Sequence, residues 1–330
     1  MSETAGAYLR TFLAPLEPWL ARPDVTDVLV NAPGEVWFET LHGGMEMAAA
    51  PELTATTLLR LAQQIAAASH QGISREYPIL SATLPDGARV QIVAPPATRA
   101  HLSLAIRKHV IADLSLDTFA ESGAFATTRA ADVSRPDAPD ADLQALLRAG
   151  EVKAFLKHAV ALGKTIIISG GTASGKTTFL NALLKETPQA QRIIAIEDTP
   201  EVSLHRPNAV GLIAVKGAMG EARVSLDDLM QAALRMRPDR LLVGEIRGAE
   251  AFTFLRAINT GHPGSMTTIH ADSPRGALEQ IAFMSLQAGV NLSRLDVLDY
   301  ARETIDVIIQ LARVNGKRIV TQIAHGLNDL

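Results

Sequence analysis

An α/β fold with a parallel-rich sheet, preceded by a smaller α+β domain, is what this 330-residue sequence predicts. Two observations lead there. In the second half, the short apolar runs "TIIIS", "RIIAIE", "RLLVGE" and "MTTIH" alternate with helical segments, the pattern of parallel strands joined by crossover helices. In the first half, strand-like runs cluster around one long amphipathic stretch. Between the halves, "TTRAADVSRPDAPDADL" (residues 127–143) is poor in large apolar side chains and carries Pro136 and Pro139 among Asp and Ser, so it reads as a linker or exposed loop. The boundaries that follow are residues 1–112 for the first domain, 113–147 for the connection and 148–330 for the α/β domain.

In chain order, "TDVLVN" and "EVWFET" read as strands, "LTATTLLRLAQQIAAAS" as a helix, and "RVQIVA" and "LSLAIR" as further strands. The helix "EVKAFLKHAVAL" stops at Gly163. The strand "TIIIS" follows, then the helix "KTTFLNALLKE" with Phe179, Leu180 and Leu183 on one face. After "RIIAIE", Ser225 with Asp228 three residues on announces a capped helix that Pro238 ends. Near the end, Asn315-Gly316 between two strand-like runs signals a tight hairpin.

Composition excludes several classes. Hydrophobic content of 47% with mixed charge indicates a globular chain, neither disordered nor fibrous. No apolar run approaches the roughly 18 residues of a membrane span, and the first 20 residues lack a signal-peptide core, so a cytoplasmic protein is expected. The absence of cysteine excludes disulfides and thiolate zinc sites. A net charge of −4 with 4% aromatic residues argues against a basic stacking groove for nucleic acid.

Against that background "GGTASGKT" has the spacing G-x-x-x-x-G-K-T. Glycines allow a turn whose successive N–H groups point inward at phosphate oxygens, and a strand before and a helix after give the loop its required context. Gly170, Gly171, Thr172, Ala173, Ser174, Gly175, Lys176, Thr177 and Thr178 are therefore the expected nucleotide-binding stretch. Lys176 reaches the β and γ phosphates, and the Thr177 hydroxyl ligates Mg²⁺. ATP and Mg²⁺ are the expected cofactors.

Carboxylates arrive at the same sheet edge, where α/β proteins bind ligands. "RIIAIE" ends in Glu197-Asp198, and "RLLVGE" delivers Glu245, which can orient or deprotonate a water aimed at the γ phosphate. P-loop enzymes usually place an Asp before this point to hold Mg²⁺ through water; here the residue is Gly244. The metal must then lean on Thr177 and on Glu197 or Asp198 through water, and the choice between Glu197 and Glu245 as the catalytic base stays open. "NTGHPGSMTTIHADSP" places His262 and His270 on either side of a short strand. His270, at the strand's end, is the better placed to donate a hydrogen bond to the γ phosphate.

In order and wording, "GGTASGKTT", "IEDTPE", "LRMRPDRLLVGEIRGAEA" and "TGHPGSMTTIHA" resemble the Walker A, Asp, Walker B and His boxes of the secretion traffic ATPases, most closely the VirB-type ATPases of type IV secretion and conjugal transfer. The resemblance is strong over about residues 150–285. It implies a RecA-like C-terminal domain, a smaller N-terminal domain, and a homo-hexameric ring that is peripheral at the inner membrane. Secretion-channel proteins and coupling or assembly ATPases are the implied partners. More weakly, "LPDGARVQIV" and "LSLAIRKH" look like the family's strands that carry arginines to the nucleotide, which makes Arg89 and Arg107 candidates, with Arg237 of "RMRP" a third. Guanidinium suits that role because it stays charged and forks onto phosphate oxygens.

Pilus motors share the four boxes. Many assembly motors carry a four-cysteine zinc module that this chain lacks, which leaves pilus retraction motors as the alternative. Two other classes are a scaffold that binds ATP without turnover, against which Glu197 and Glu245 speak, and a DNA-strand motor, against which the acidic balance speaks.

Overall fold

The computed structural model describes residues 3–41, 43–108, 116–121, 123, 125–126, 128, 138–215 and 221–327. Residues 129–137, the middle of the expected linker, lie outside the described residues, while its last part is helical from Ala138. Two sheets organise the chain, one in each half.

The first half runs α1 (Glu3–Leu13), α2 (Glu17–Leu20), β1 (Val25–Val30), β2 (Gly34–Thr40), β3 (Met45–Ala50), α3 (Ala55–Ala68), β4 (Ile79–Thr83), β5 (Arg89–Val93) and β6 (Ser103–Arg107). Among the described residues these strands form a six-stranded sheet in the order β3-β2-β1-β6-β5-β4, with antiparallel pairing throughout. Thr54 starts α3 by accepting the Thr57 amide at 3.1 Å. Leu58, Leu61 and Ile65 then recur at helical spacing and are buried against Val28, Val30, Val90, Leu104 and Ile106. The alternate side chains Leu29, Val93 and Ala105 join the core of the second half. Period-2 alternation thus buries both faces of the sheet, one under α3 and one against the other domain.

The five elements expected in this half are present. Strands β3 and β4 had not been expected. "MEMAAA" consists of helix formers, and it is strand only because it pairs with β2 along its length.

The second half continues with α4 (Leu116–Glu121), α5 (Ala138–Arg148), α6 (Val152–Ala161), β7 (Ile166–Gly170), α7 (Lys176–Lys185), β8 (Ile193–Glu197), β9 (Ala209–Ile213), α8 (Leu226–Ala233), β10 (Arg240–Val243), α9 (Glu250–Asn259), β11 (Met266–Ile269), α10 (Pro274–Gln287), α11 (Arg294–Thr304), β12 (Val307–Val314) and β13 (Lys317–His325). Among the described residues the sheet is seven-stranded, β13-β12-β7-β11-β10-β8-β9, and parallel except for the β12–β13 hairpin. Ile166 and Ile168 face a core shared with Phe155 of α6 and Leu180 of α7, and Leu143 of α5 packs there too. Ile167 faces the opposite core with Leu229, Phe254 and Leu278. That two-sided burial is why β7 reads as an unbroken apolar run. The hairpin turns at Asn315 (φ 50°) and Gly316 (φ 81°), the left-handed pair that a two-residue turn requires.

The halves are joined by backbone pairing as well as by packing. Ala97–Arg99 adds to the free edge of β9: the Arg99 amide donates to Gly211 O at 3.0 Å, and the Ile213 amide to Ala97 O at 2.9 Å. A second tie is Arg192, fully buried at the start of β8. Its Nη1 donates to Asn31 Oδ1 of the first domain at 2.7 Å and to Asn208 Oδ1 at 2.6 Å, and burial pulls its pKa down to about 9. A third is Arg237, whose Nε donates to Glu39 Oε2 at 2.6 Å.

Candidate functional site: the P-loop and the acids facing it

Strand β7 ends at Gly170 and α7 starts at Lys176, so the intervening loop lies at the carboxyl edge of the sheet. Ala173 (φ 61°) and Gly175 (φ 91°) take left-handed conformations within it, which turns the chain back on itself. Gly171, Thr172, Ala173 and Thr178 are exposed and Thr177 is half-buried, while Ser174 is buried with its Oγ lacking a hydrogen-bond partner among the described residues. Gly170 is glycine for space: a Cβ there would lie 2.5 Å from Ser174 Oγ and 2.7 Å from Leu311 O.

Lys176 curls over the loop. Its Nζ donates to Gly170 O at 2.9 Å and Gly171 O at 3.2 Å, and lies 3.4 Å from each ring nitrogen of His270. Burial lowers its pKa, against the raising field of Glu245. His270 Nε2 is 2.7 Å from Glu245 Oε1. Glu245 Oε1 accepts no hydrogen bond among the described residues, so the two groups touch without donor and acceptor being aligned. Glu245 Oε2 in turn accepts from Arg247 Nε at 2.8 Å, and Arg247 Nη1 lies 3.7 Å from Asp198 Oδ2. The result is a line of close polar contacts, Lys176–His270–Glu245–Arg247–Asp198. A small cleft runs beside it, lined by Thr177, Glu197, Asp198, Glu245 and Arg247 among others.

Glu197 is built differently from Glu245. It is 1% exposed, its Oε1 accepts the Glu201 amide at 2.8 Å and the Val202 amide at 2.7 Å, and its Oε2 accepts from Arg99 Nη2. Both oxygens are therefore committed to the protein. Its side chain also explains Gly244: a Cβ built there would come 3.0 Å from Glu197 Cγ. Glu197 fills the space that an Asp at position 244 would need. Gly244→Ala is accordingly expected to cost about 1–3 kcal/mol, because Glu197 is pinned and cannot give way. Urea unfolding checks this, and a midpoint equal to that of the unaltered protein would show that the site has slack.

Three expected site residues lie elsewhere in the chain. Arg237 precedes β10 and Glu245 follows it, so the strand holds them at opposite edges of the sheet. Arg237 pairs instead with Glu39 and Asp239; burial opposes its charge, but these acids outweigh it and raise the pKa. Arg107 donates from Nε to Asp27 at 2.8 Å and stands opposite Arg89 in the β5–β6 ladder. Both line a cleft of about 530 Å³ closed by Leu234 and Arg235, and its lining shares no residue with the Thr177–Glu245 cleft. His262 belongs to this remote edge as well: its Nδ1 lies 3.1 Å from Pro238 O, and burial lowers its pKa while Arg107 and Arg237 push the same way. A parallel strand separates its two ends by its whole length, which is why Arg237 and His262, before β10 and β11, fall away from the P-loop while Glu245 and His270, after them, reach it.

Sequence reasoning passed over Arg99 and Arg247. Arg247 had a local signal, two residues after Glu245 in "GEIRG". Arg99 had none, since only the pairing of Ala97–Arg99 with β9 carries it to Glu197. Gly211 accommodates it, for a Cβ there would be 2.4 Å from Arg99 Cδ.

A P-loop facing two acids and a histidine is a site type, and comparison with known proteins gives it a family. The family model described as Type II/IV secretion system protein matches residues 11–323. The chain belongs to this family. It is 37% identical over 338 residues to the type IV secretion system protein VirB11 of Bartonella henselae, covering 98% of this chain and 95% of that protein. It is 41% identical over 287 residues to VirB11 of Brucella suis, covering 86% and 79%. In three dimensions it is similar to the crystal structure of the B. suis VirB11 ATPase in complex with sulphate, with a TM-score of 0.89 and 36% identity over 96% of this chain and 97% of that one. The two-domain secretion-ATPase fold, with its parallel-rich sheet, is therefore the fold of this family member as the resemblance implied. Among the described residues no helix is long and apolar enough to cross a membrane.

Proposed function

We infer that this chain is the ATPase of a type IV secretion system, and that it works as a cytoplasmic hexameric ring docked on inner-membrane channel proteins and coupled to the system's other ATPases. The observation that carries the reading is the convergence of Lys176, His270 and Glu245 at the carboxyl edge of the sheet, beside a P-loop whose outer residues are exposed. That arrangement suits phosphoryl transfer to water, in which positioning and charge stabilisation do most of the work.

In this mechanism the loop amides from Gly171 to Thr178 and the Lys176 ammonium hold the triphosphate. Glu245 takes the proton of the attacking water, because its side chain is 15% exposed and its Oε1 accepts no hydrogen bond among the described residues, whereas Glu197 is 1% exposed and both its oxygens accept from the protein. His270, 2.7 Å from Glu245, orients it and senses the terminal phosphate. Lining the cleft, Thr177 supplies a hydroxyl, and Glu197 and Asp198 supply carboxylates; this donor set fits Mg²⁺ held by Thr177 directly and by the acids through water. Bound there, the ion would offset charge on the phosphate oxygens.

Arg89 and Arg107 belong to the first-half sheet and line a cleft that shares no residue with the one beside the P-loop of their own chain. If they touch phosphate, it is the nucleotide of another subunit, with Arg235 lining the same cleft. ATP and ADP would then stabilise different ring shapes through contacts to the γ phosphate. The test is sedimentation with a non-hydrolysable ATP analogue and Mg²⁺, where about six protomers are expected, together with a phosphate-release assay. In the assembled ring, Arg107→Ala should weaken ATP about tenfold more than ADP. A monomer at micromolar concentration that releases no phosphate overturns the reading.

A further inference from the structure

Strand order sets the direction in which a bound nucleotide runs. Glu197, Glu245 and His270 stand at the ends of β8, β10 and β11, all on one side of β7, while β12 and β13 lie on the other. With the terminal phosphate among those acids, the phosphate next to the ribose lies on the side of the β12–β13 hairpin.

A cation waits on that side. Arg318 of β13 lays its side chain against the P-loop: a Cβ built at Gly175 would sit 2.8 Å from Arg318 Cδ and 3.4 Å from its Nε. Gly175 therefore does two things, taking φ 91° and leaving room for this arginine at the start of α7. Arg318 is exposed, and among the described residues no carboxylate pairs with it. Its partner directly across the hairpin is Arg313. Like charges placed opposite each other in a ladder are destabilising, so the fold itself gains nothing from this pair. An anion at the head of α7 would make the arrangement favourable, as amide groups and guanidinium would then converge on it.

We propose that Arg318 is a nucleotide-binding residue that contacts the α-phosphate of ATP and ADP from the β12–β13 hairpin. The proposal rests on the ATPase reading above and assigns a role separate from those of Glu245 and Arg107. ATP and ADP both carry the α-phosphate, so the contact sets affinity for both and does not distinguish them. It is made equally before and during phosphoryl transfer, so its loss falls on KM rather than kcat.

The experiment compares Arg318→Ala, Arg318→Lys and Arg313→Ala, with Lys176→Ala in parallel, using fluorescent ATP-analogue and ADP titrations and steady-state hydrolysis. Arg318→Ala is expected to weaken both nucleotides by about tenfold, the scale of one charged hydrogen bond at a partly exposed site. Arg318→Lys should recover part of the loss, and Arg313→Ala should bind as the unaltered protein does. Unchanged affinity in Arg318→Ala beside an inactive Lys176→Ala overturns this inference and leaves the ATPase reading standing. An active Lys176→Ala overturns the reading itself. A loss confined to ATP or to kcat also overturns the inference, because it would put Arg318 at the γ phosphate.

Discussion

Glu245→Gln is expected to slow ATP turnover by about 10²-fold or more while nucleotide binding survives. Gln keeps the shape and one acceptor but loses the charge that takes a proton from water. The contacts that hold the triphosphate come from Lys176, Thr177 and the loop amides, and none of them depends on Glu245. The exchange also removes the charged partner of His270 Nε2 at 2.7 Å and of Arg247 Nε at 2.8 Å, so the line of polar contacts loses its charge at the centre. The mutant should accumulate with ATP bound and should poison rings mixed with unaltered subunits. The competing assignment makes Glu197 the base. Titrations with and without Mg²⁺ for Glu245→Gln and Glu197→Gln separate the two. Should Glu245→Gln lose Mg²⁺-dependent binding while Glu197→Gln binds normally and cannot hydrolyse, the roles are reversed.

Lys176→Ala is expected to reduce hydrolysis by on the order of 10²- to 10³-fold, the scale for deleting a charge aimed at a transferring phosphoryl group. The fold should persist. Among the described residues the Lys176 ammonium bonds only loop carbonyls and His270, and its burial lowers its pKa, so the folded protein holds this charge at a cost when no nucleotide is bound. Thermal unfolding should accordingly show a midpoint no lower than that of the unaltered protein. Near-normal phosphate release from a folded Lys176→Ala would mean that the P-loop is not where ATP reacts.

The elements that sequence alone revealed are those whose signal is local. Strand β7 is an unbroken β-branched run because both its faces are buried, and the Ser225–Asp228 capping box and the Asn315-Gly316 turn are set within four residues. The P-loop was legible for the same reason, as its glycines and lysine are neighbours in the chain. Strands β3, β4 and β9 were not, since "MEMAAA" and its like become strands only through their partners. The arginines divide along the same line. Arg89, Arg107 and Arg237 resembled phosphate contacts by local wording, yet wording does not say in which sheet, or at which edge of it, a residue will stand.

By itself, then, the sequence determined the nucleotide loop, the acids that follow two buried strands, and the α/β alternation that brings both to one sheet edge, because each is written in adjacent residues. Tertiary structure alone decided that Arg99 closes on Glu197, that Glu197 occupies the room an Asp at 244 would need, and that Arg318 rests on Gly175. Those contacts join residues far apart in the chain. They exist only where the β9 edge takes on Ala97–Arg99 and the β12–β13 hairpin lies beside β7, and no local propensity encodes a meeting between separate strands.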